Sequence, residues 1–244
     1  MAPESVRAAF VCAMPMELAP LRRPLSLSAI GKDRPRVYRG RLDGRPVAAV
    51  TTGMGPTLAR RGVERMLESV GEPERVVVVG ITGALCDEPP IGTLVCPERV
   101  VDGATGAAYR PAALRGASPS GTMWTTAELL TDPALLEALR DEGVVALDME
   151  TAAVGALCDE RTIPWSVVRV VSDRADDGSV DQEVFAMSDQ GGRPKASSVL
   201  SYLARHPGRV PQLARMGRQA REATRRAAEA AVEEVRAAWR AEGR

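Results

Sequence analysis

The chain has 244 residues, 45% of them hydrophobic and 26% charged, a composition ordinary for a globular protein. Thirty-two basic residues balance thirty-two acidic ones, and a net charge of zero argues against a dedicated nucleic-acid binder. The single histidine, His206, precedes Pro207 near the chain's end; it leaves a Ser-His-Asp or Cys-His device one badly placed base and a catalytic zinc site no set of imidazoles, so acid–base chemistry must rest on carboxylates.

This length suits one large α/β domain or two small ones, and no linker divides it. Only Lys32 and Lys195 are lysines, so the arginine excess reads as compositional bias. Cys12, Cys86, Cys96 and Cys158 lie far apart with no Cys-x-x-Cys pair, which fits buried free thiols in a reducing compartment. The start lacks a basic segment feeding an apolar one, and no run reaches the length of a membrane span. The expectation is a soluble, cytoplasmic protein without metal or cofactor.

In chain order, Val6 to Ala13 is short, apolar and β-compatible, and Pro15 opens a helix with Glu17 in its first turn. Val37 to Arg41 and Pro46 to Thr52 form a hairpin around Asp43-Gly44. Thr52-Gly-Met-Gly-Pro56 leads into a helix over 57–70. Val76 to Val79 is an unbroken β-branched run, the mark of a strand buried on both faces, and ends in Gly80-Ile-Thr-Gly83. A strand over 93–101 follows the Pro-Pro-Ile-Gly turn, a loop spans 109–121, and a short strand covers 123–126. Asp132-Pro133 caps a helix reaching Glu142. Strand 144–147, helix 151–161 and strand 165–172 come next, then a polar, irregular stretch over 177–196 and helices over 197–205 and 211–240. Alternating strands and helices imply a single α/β domain with a parallel or mixed sheet covered on both faces.

Five features coincide in position. Glu17, Gly53-Met54-Gly55, Gly80-Ile81-Thr82-Gly83, Met149-Glu150 and Asp173 each follow a predicted strand. If those strands are parallel, all five share the rim where ligands bind in open α/β sheets. Glycines there admit a ligand close to the backbone and offer amide donors to an anion or oxygen. Taken singly, each has a plainer reading. Glu17 and Glu150 suit the first turn of a helix, Asp173 suits a turn, and Gly-x-Gly lacks the spacing of a dinucleotide or P-loop fingerprint. Together they favour a site built on carboxylates.

Ala13-Met-Pro-Met-Glu17, Thr52-Gly-Met-Gly55, Val79-Gly-Ile-Thr-Gly-Ala-Leu85, Asp148-Met-Glu150 and Val168-Arg-Val-Val-Ser-Asp-Arg-Ala-Asp176 resemble the purine nucleoside phosphorylase superfamily. The nearest branch is the methylthioadenosine/S-adenosylhomocysteine nucleosidases. The tail from Asp189 to Leu213 is similar to hopanoid-associated nucleoside phosphorylases. The resemblance implies a mixed central sheet closing into a distorted barrel flanked by helices, commonly dimeric, with a long C-terminal helix. It implies that Asp173 protonates N7 of a purine and that Glu17 deprotonates the attacking water. Glu150 would accept the ribose 2′- and 3′-hydroxyls with Met149 against the sugar, and Leu129, Leu130 and Ser172 would flank the base. Breaking an N-glycosidic bond independently calls for an acid at the leaving group and a base on the opposite face, and Asp173 would then need a dry site.

Phosphorylases of the superfamily grip phosphate with an arginine and a hydroxyl where this chain has Val78 and Ile81. Thr82, Arg22 and Arg23 do not fit that pattern, so water is the expected nucleophile. Leu129 replaces an aromatic residue of the family and Ala84 a glycine. Residues 205–244 carry ten arginines against five glutamates, with Val210, Leu213, Met216, Val232, Val235 and Trp239 interleaved. Such a basic amphipathic extension can meet a membrane surface, but packing on the domain or a partner copy is the favoured reading. The expectation is a nucleosidase releasing adenine from a small-molecule nucleoside, as a homodimer. The alternatives are removal of adenine from a 5′-lipid adenosine such as adenosylhopane, and a non-catalytic nucleoside-binding protein.

Overall fold

The structure, a computed structural model, describes residues 4–85, 89–175, 182–189, 191–192 and 195–242. Cys86, Asp176 and part of the 177–196 stretch lie outside the described residues.

Among the described residues eleven strands form one mixed sheet. Strand β1 (Ala8–Cys12) leads into a one-turn helix α1 (Pro15–Leu18). A short strand absent from the sequence reading, β2 (Ser28–Ile30), pairs with β3 (Arg36–Leu42), which forms the expected hairpin with β4 (Arg45–Thr51). Asp43 and Gly44 both have positive φ, 49° and 79°, as a tight hairpin turn requires. Helix α2 (Pro56–Val70) connects to β5 (Val76–Ala84).

β5 is the axis of the fold. It pairs with β1 in parallel over residues 76–78 and, on its other side, with β11 (Trp165–Arg174) in parallel over its whole length. Its side chains alternate between two cores. Val76 and Val78 join α2 and α4 (Thr151–Glu160) on one face. Val77 and Val79 join α7 (Val210–Glu242) on the other. This two-sided burial is why the valine run is unbroken.

The sheet departs from two expectations. The Gly80 to Gly83 segment does not follow the strand; it is strand, because β5 continues to Ala84 and pairs with β11 throughout. β10 (Val144–Asp148), which delivers Glu150, is also not parallel to β5. It runs antiparallel, paired only at Ala146↔Ala84 and Leu147↔Gly83. Because it crosses the carboxyl end of β5 in reverse, its own end still arrives beside Ile81 and Thr82.

The strand expected over 93–101 is two, β6 (Leu94–Val95) and β7 (Arg99–Asp102). Pro97, which has no N–H to give a ladder, stands between them. The sheet's far wing comprises β7, β8 (Ala108–Tyr109) and β9 (Thr122–Thr125), which joins β10 in parallel. Asp132 caps α3 (Pro133–Asp141) as expected, accepting from the Ala134 amide at 3.0 Å. Residues 182–186 form a short helix, α5 (Gln182–Ala186), within the stretch read as irregular, and α6 (Ala196–Arg205) precedes α7. In α7 the second half is anchored, with Ala223, Ala227, Ala231, Val235 and Trp239 buried along one stripe.

Candidate active site

Glu17 serves two functions at once. Its Oε2 accepts the Met14 amide at 2.8 Å, closing the first turn of α1, which is the plain capping role. Its Oε1 leaves the helix and accepts the Ile81 amide of β5 at 3.0 Å. The side chain is 1% exposed. It lies directly over Gly80, where a Cβ would sit 2.1 Å from Oε1. That contact explains a glycine inside a strand otherwise built of branched residues.

Glu150 arrives from the opposite side. Its Oε1 accepts the Gly55 amide at 2.9 Å. Gly53 and Gly55 have φ of 103° and 100°, conformations that only glycine adopts without strain. The Thr52 to Gly55 turn thereby points an amide at Glu150, and Gly62 of α2 packs closely on Thr52.

Between the two glutamates stands Arg169, in the middle of β11 and 2% exposed. Its Nη1 is 3.4 Å from Glu17 Oε1 and 3.1 Å from the Ile81 carbonyl. Its Nη2 donates to Asp148 at 2.7 Å and to Glu150 at 3.2 Å. Asp148 also accepts from Thr125 Oγ1 at 2.6 Å, from the Thr151 amide at 2.9 Å and from the Thr151 hydroxyl. Neither Arg169 nor Asp148 was assigned a role by sequence reasoning. The signal for Arg169 was present: a buried strand tolerates an arginine only if carboxylates face it.

Three carboxylates around one guanidinium leave an excess of negative charge in a dry place. Burial pushes Glu17 above the ordinary glutamate value, against the pull of Arg169 and of the Met14 and Ile81 amides. Burial likewise pushes Glu150 up to about 7; Asp148 adds to the rise, while Arg169 and the Gly55 amide oppose it. Burial works against the charge on Arg169, but Asp148, Glu17 and Glu150 more than offset it and raise its pKa.

Asp173 stands near the end of the same strand, β11. The β11–β5 ladder slips at Ser172, between Val171 and Asp173, and Asp173 then pairs with Gly83. Such a bulge re-aims the side chain. The Ser172 hydroxyl donates to Asp173 Oδ1, and Oδ2 lies 3.4 Å from where a Cβ on Gly83 would stand. Asp173 is half-buried rather than enclosed, because it sits at the open end of the strand. Leu130, Leu147 and Ala175 pack against a small buried cluster of Leu85, Leu136, Leu139 and Val144. Leu129, Met149 and Met54 are half-buried. The Thr82 hydroxyl is already committed to the Leu147 carbonyl at 2.7 Å, and Arg22 stacks over Tyr38 at 5.7 Å.

Thus Glu17, Gly55, Ile81 and Glu150 join one hydrogen-bonded network through Arg169, while Asp173, Ser172 and Gly83 form the adjoining strand ends. Among the described residues no group of His, Cys, Asp and Glu could hold a metal ion, and no helix is long and apolar enough to cross a membrane.

Comparison with known proteins agrees with this architecture. The model of the phosphorylase superfamily matches residues 7–120 and 112–205, and the chain belongs to that superfamily. A 5′-methylthioadenosine/S-adenosylhomocysteine nucleosidase of Marinomonas sp. (strain MWYL1) is 28% identical over 172 residues, covering 57% of this chain and 72% of the relative. The crystal structure of the nucleosidase of the same name from Neisseria meningitidis, in complex with methylthio-immucillin-A, superposes with a TM-score of 0.73 at 17% identity. It covers 95% of this chain and 99% of that one. Futalosine hydrolase of Helicobacter pylori superposes with a TM-score of 0.70 at 13% identity over 94% and 97% of the two chains.

Proposed function

We propose that the protein is an N-ribosyl hydrolase that cleaves the glycosidic bond of a purine nucleoside, with adenine as the preferred base. The observation that carries this reading is the shared guanidinium: Arg169 contacts Glu17 through Nη1 and Glu150 through Nη2. A base and a sugar-binding carboxylate are thereby fixed relative to each other. The names of the similar proteins, all nucleosidases or nucleoside hydrolases, support the same reaction class.

In this mechanism Glu150 accepts the ribose hydroxyls. Water held by Glu17 attacks C1′ as the bond from C1′ to the base nitrogen breaks. Glu17 takes the water's proton, and the electron pair of the broken bond leaves with the base. Asp173 supplies a proton to N7, so the base departs neutral. Its Oδ1 accepts from the Ser172 hydroxyl, a contact that orients the carboxyl group. Raised affinity of Glu17 for protons strengthens it as a base, and general acid–base groups of this kind contribute roughly 10²–10⁴-fold each.

Water rather than phosphate is the nucleophile in this reading. Val78 is buried in the core, and the Thr82 hydroxyl donates to a carbonyl. Neither offers the charge-assisted donors a dianion needs. The test is release of free base from adenosine and 5′-methylthioadenosine with and without phosphate. Equal rates in both, lost in Glu17→Gln and in Asp173→Asn, support the proposal. Turnover that requires phosphate and yields ribosyl 1-phosphate overturns it.

A further inference from the structure

The two halves of the C-terminal extension differ. From Ala223 onward α7 buries one stripe against the sheet, as a helix packed on its own domain does. Between Tyr202 and Ala223 no residue is buried. That stretch comprises the end of α6, a tight turn at Pro207–Arg209 and the first turns of α7. It is nonetheless held in shape at its corner. Tyr202 is 1% exposed; the His206 ring lies 4.7 Å from its ring and the Arg209 guanidinium 5.9 Å over its face. Arg209 also donates to the Tyr202 hydroxyl and to Gln212. One side chain thus ties α6 to the start of α7 and presents both as a formed surface.

The charge on that surface has one sign. From Lys195 to Arg221 the chain carries Lys195, Arg205, Arg209, Arg215, Arg218 and Arg221, and no aspartate or glutamate. The next acid, Glu222, is already shared by Arg225 and Arg226, and Arg205 alone of the six reaches an acid outside the segment, Glu183 at 3.4 Å. The chain as a whole is neutral, so any pull on a polyanion must come from a local concentration of charge such as this one.

Apolar groups stand in the same place. Among the described residues four large apolar side chains are exposed, and two of them, Leu200 at 71% and Val210 at 45%, belong to α6 and to the first turn of α7. Val210, Ala214, Arg218 and Arg221 are all exposed and succeed one another at steps of four, four and three, so they form one stripe along α7. Leu203, Leu213 and Met216 are half-buried beside it.

Charge and greasiness together decide the partner. A polynucleotide would use the arginines, but it is gripped through stacking on exposed aromatic rings, and the one aromatic ring besides His206 in the segment, Tyr202, is buried. Leucine and valine held in water beside arginines suit a surface with anions outside and hydrocarbon beneath. We propose that α6 and the first turns of α7 form a docking surface for an anionic lipid bilayer, entered by Leu200 and Val210 and held by Arg215, Arg218 and Arg221. Binding of this kind adds buried apolar area to attraction for acidic headgroups. The segment before α6 lies against the catalytic region, because a Cβ on Gly192 would sit 2.2 Å from Met14 Cγ, and the Met14 amide binds Glu17. The docking surface therefore begins beside the helix that carries Glu17.

The experiment is co-sedimentation of the full chain with vesicles of equal parts phosphatidylcholine and phosphatidylglycerol, and with vesicles of phosphatidylcholine alone. Wild type should partition onto the anionic vesicles at least about tenfold more strongly, and added salt should weaken that binding by screening. The triple variant Arg215→Gln, Arg218→Gln, Arg221→Gln should bind roughly a hundredfold more weakly, about fivefold for each arginine lost near the surface. The double variant Leu200→Ser, Val210→Ser should also bind severalfold more weakly while keeping the salt dependence. All five side chains are exposed, so both variants are expected to fold, which their melting curves check. Arg61→Gln, Arg110→Gln, Arg161→Gln removes the same charge from exposed positions elsewhere and should bind as wild type does. No preference for anionic vesicles, or equal losses in the two arginine variants, overturns the proposal. So does tighter binding to single-stranded polyuridylate than to vesicles, or a dimer in light scattering that only the double variant abolishes, since the surface would then serve nucleic acid or a second copy.

Discussion

Arg169 and Glu150 meet inside the protein, Nη2 to Oε2, at 3.2 Å, and the same guanidinium reaches Glu17 through its other nitrogen at 3.4 Å. Replacing Arg169 with methionine keeps the volume but leaves Glu17, Asp148 and Glu150 buried without a counter-charge. Removing one partner of a buried ion pair costs about 3–5 kcal/mol, and this cation serves three anions. Urea denaturation of Arg169→Met should show a loss of at least that size. Arg169→Lys keeps the charge but cannot span the two glutamates with a fork. It should recover part of the stability and little of the base-release rate. A methionine variant as stable as wild type would mean that the carboxylates are neutral without Arg169.

The proton affinity of Glu150 fixes the direction of a pH dependence. Burial raises its pKa from the ordinary 4.5 to about 7. A carboxylate accepts both ribose hydroxyls only when ionised, so affinity for a nucleoside should fall as pH drops below about 7. One unit below the pKa, roughly a tenth remains ionised. Glu17 is shifted in the same direction, so the rate should fall on the same side. For stability the sign is opposite. The folded state holds protons that the unfolded state releases between 4.5 and about 7, so Glu150 contributes stability at low pH that is lost as pH rises through that window. Calorimetric titration of a nucleoside into Asp173→Asn from pH 5.5 to 8 checks the first point. A flat affinity would show that Glu150 does not hold the sugar.

These relationships were unevenly legible in the sequence. Glu17, Glu150 and Asp173 stood out because each follows a strand, and strand ends can be read locally from β-branched runs and the turn residues after them. Arg169 did not stand out, because the run from Trp165 to Val171 reads as one buried strand and its charge passes as a single interruption. Only the three carboxylates that converge on it from β10, α1 and the start of α4 explain it, and that convergence is long-range. The direction of β10 was hidden for the same reason: whether a strand is parallel or antiparallel depends on its partner, and β10 touches β5 at two residue pairs only. The length of β5 was misjudged because Gly80 and Gly83 look like a strand end. Gly80 is instead glycine because Glu17 occupies the space of its side chain.

That occupancy makes Gly80→Ala a sharp test of the site. The added methyl would lie 2.1 Å from Glu17 Oε1 and 2.5 Å from Arg169 Nη1, so one or both must move. Strand geometry at this position is ordinary, and the fold should survive. Misplacing a reacting group by about 1 Å can cost on the order of 10²-fold, and a loss of that size in kcat is expected, with the melting temperature lowered only modestly. Gly83→Ala provides the contrast. Its nearest neighbour, Asp173 Oδ2, stands at 3.4 Å, an ordinary contact, so activity should fall far less. Equal losses in the two variants would mean that the space above Gly80 does not position Glu17.

The long C-terminal helix offers a test on the opposite end of the sheet. Trp239 is buried in the core that α7 forms against β5 and β11, and Arg45 lies over its ring at 5.0 Å. Arg45 begins β4, whereas the Thr52 to Gly55 turn follows the end of that strand. Trp239 therefore supports the domain at the edge remote from the carboxylates. Trp239→Ala leaves a large void and should cost about 3–5 kcal/mol, visible as a lower urea midpoint with little change in slope. The molecules that remain folded should release base at a rate near wild type, because neither Glu17 nor Glu150 depends on this contact. Arg225 and Glu222, on the exposed face of the same helix, give the control: alanine at either should leave the urea midpoint nearly unchanged, because solvent and salt screen a surface pair. A tryptophan variant with unchanged stability would show that α7 is not fastened to the sheet at this end.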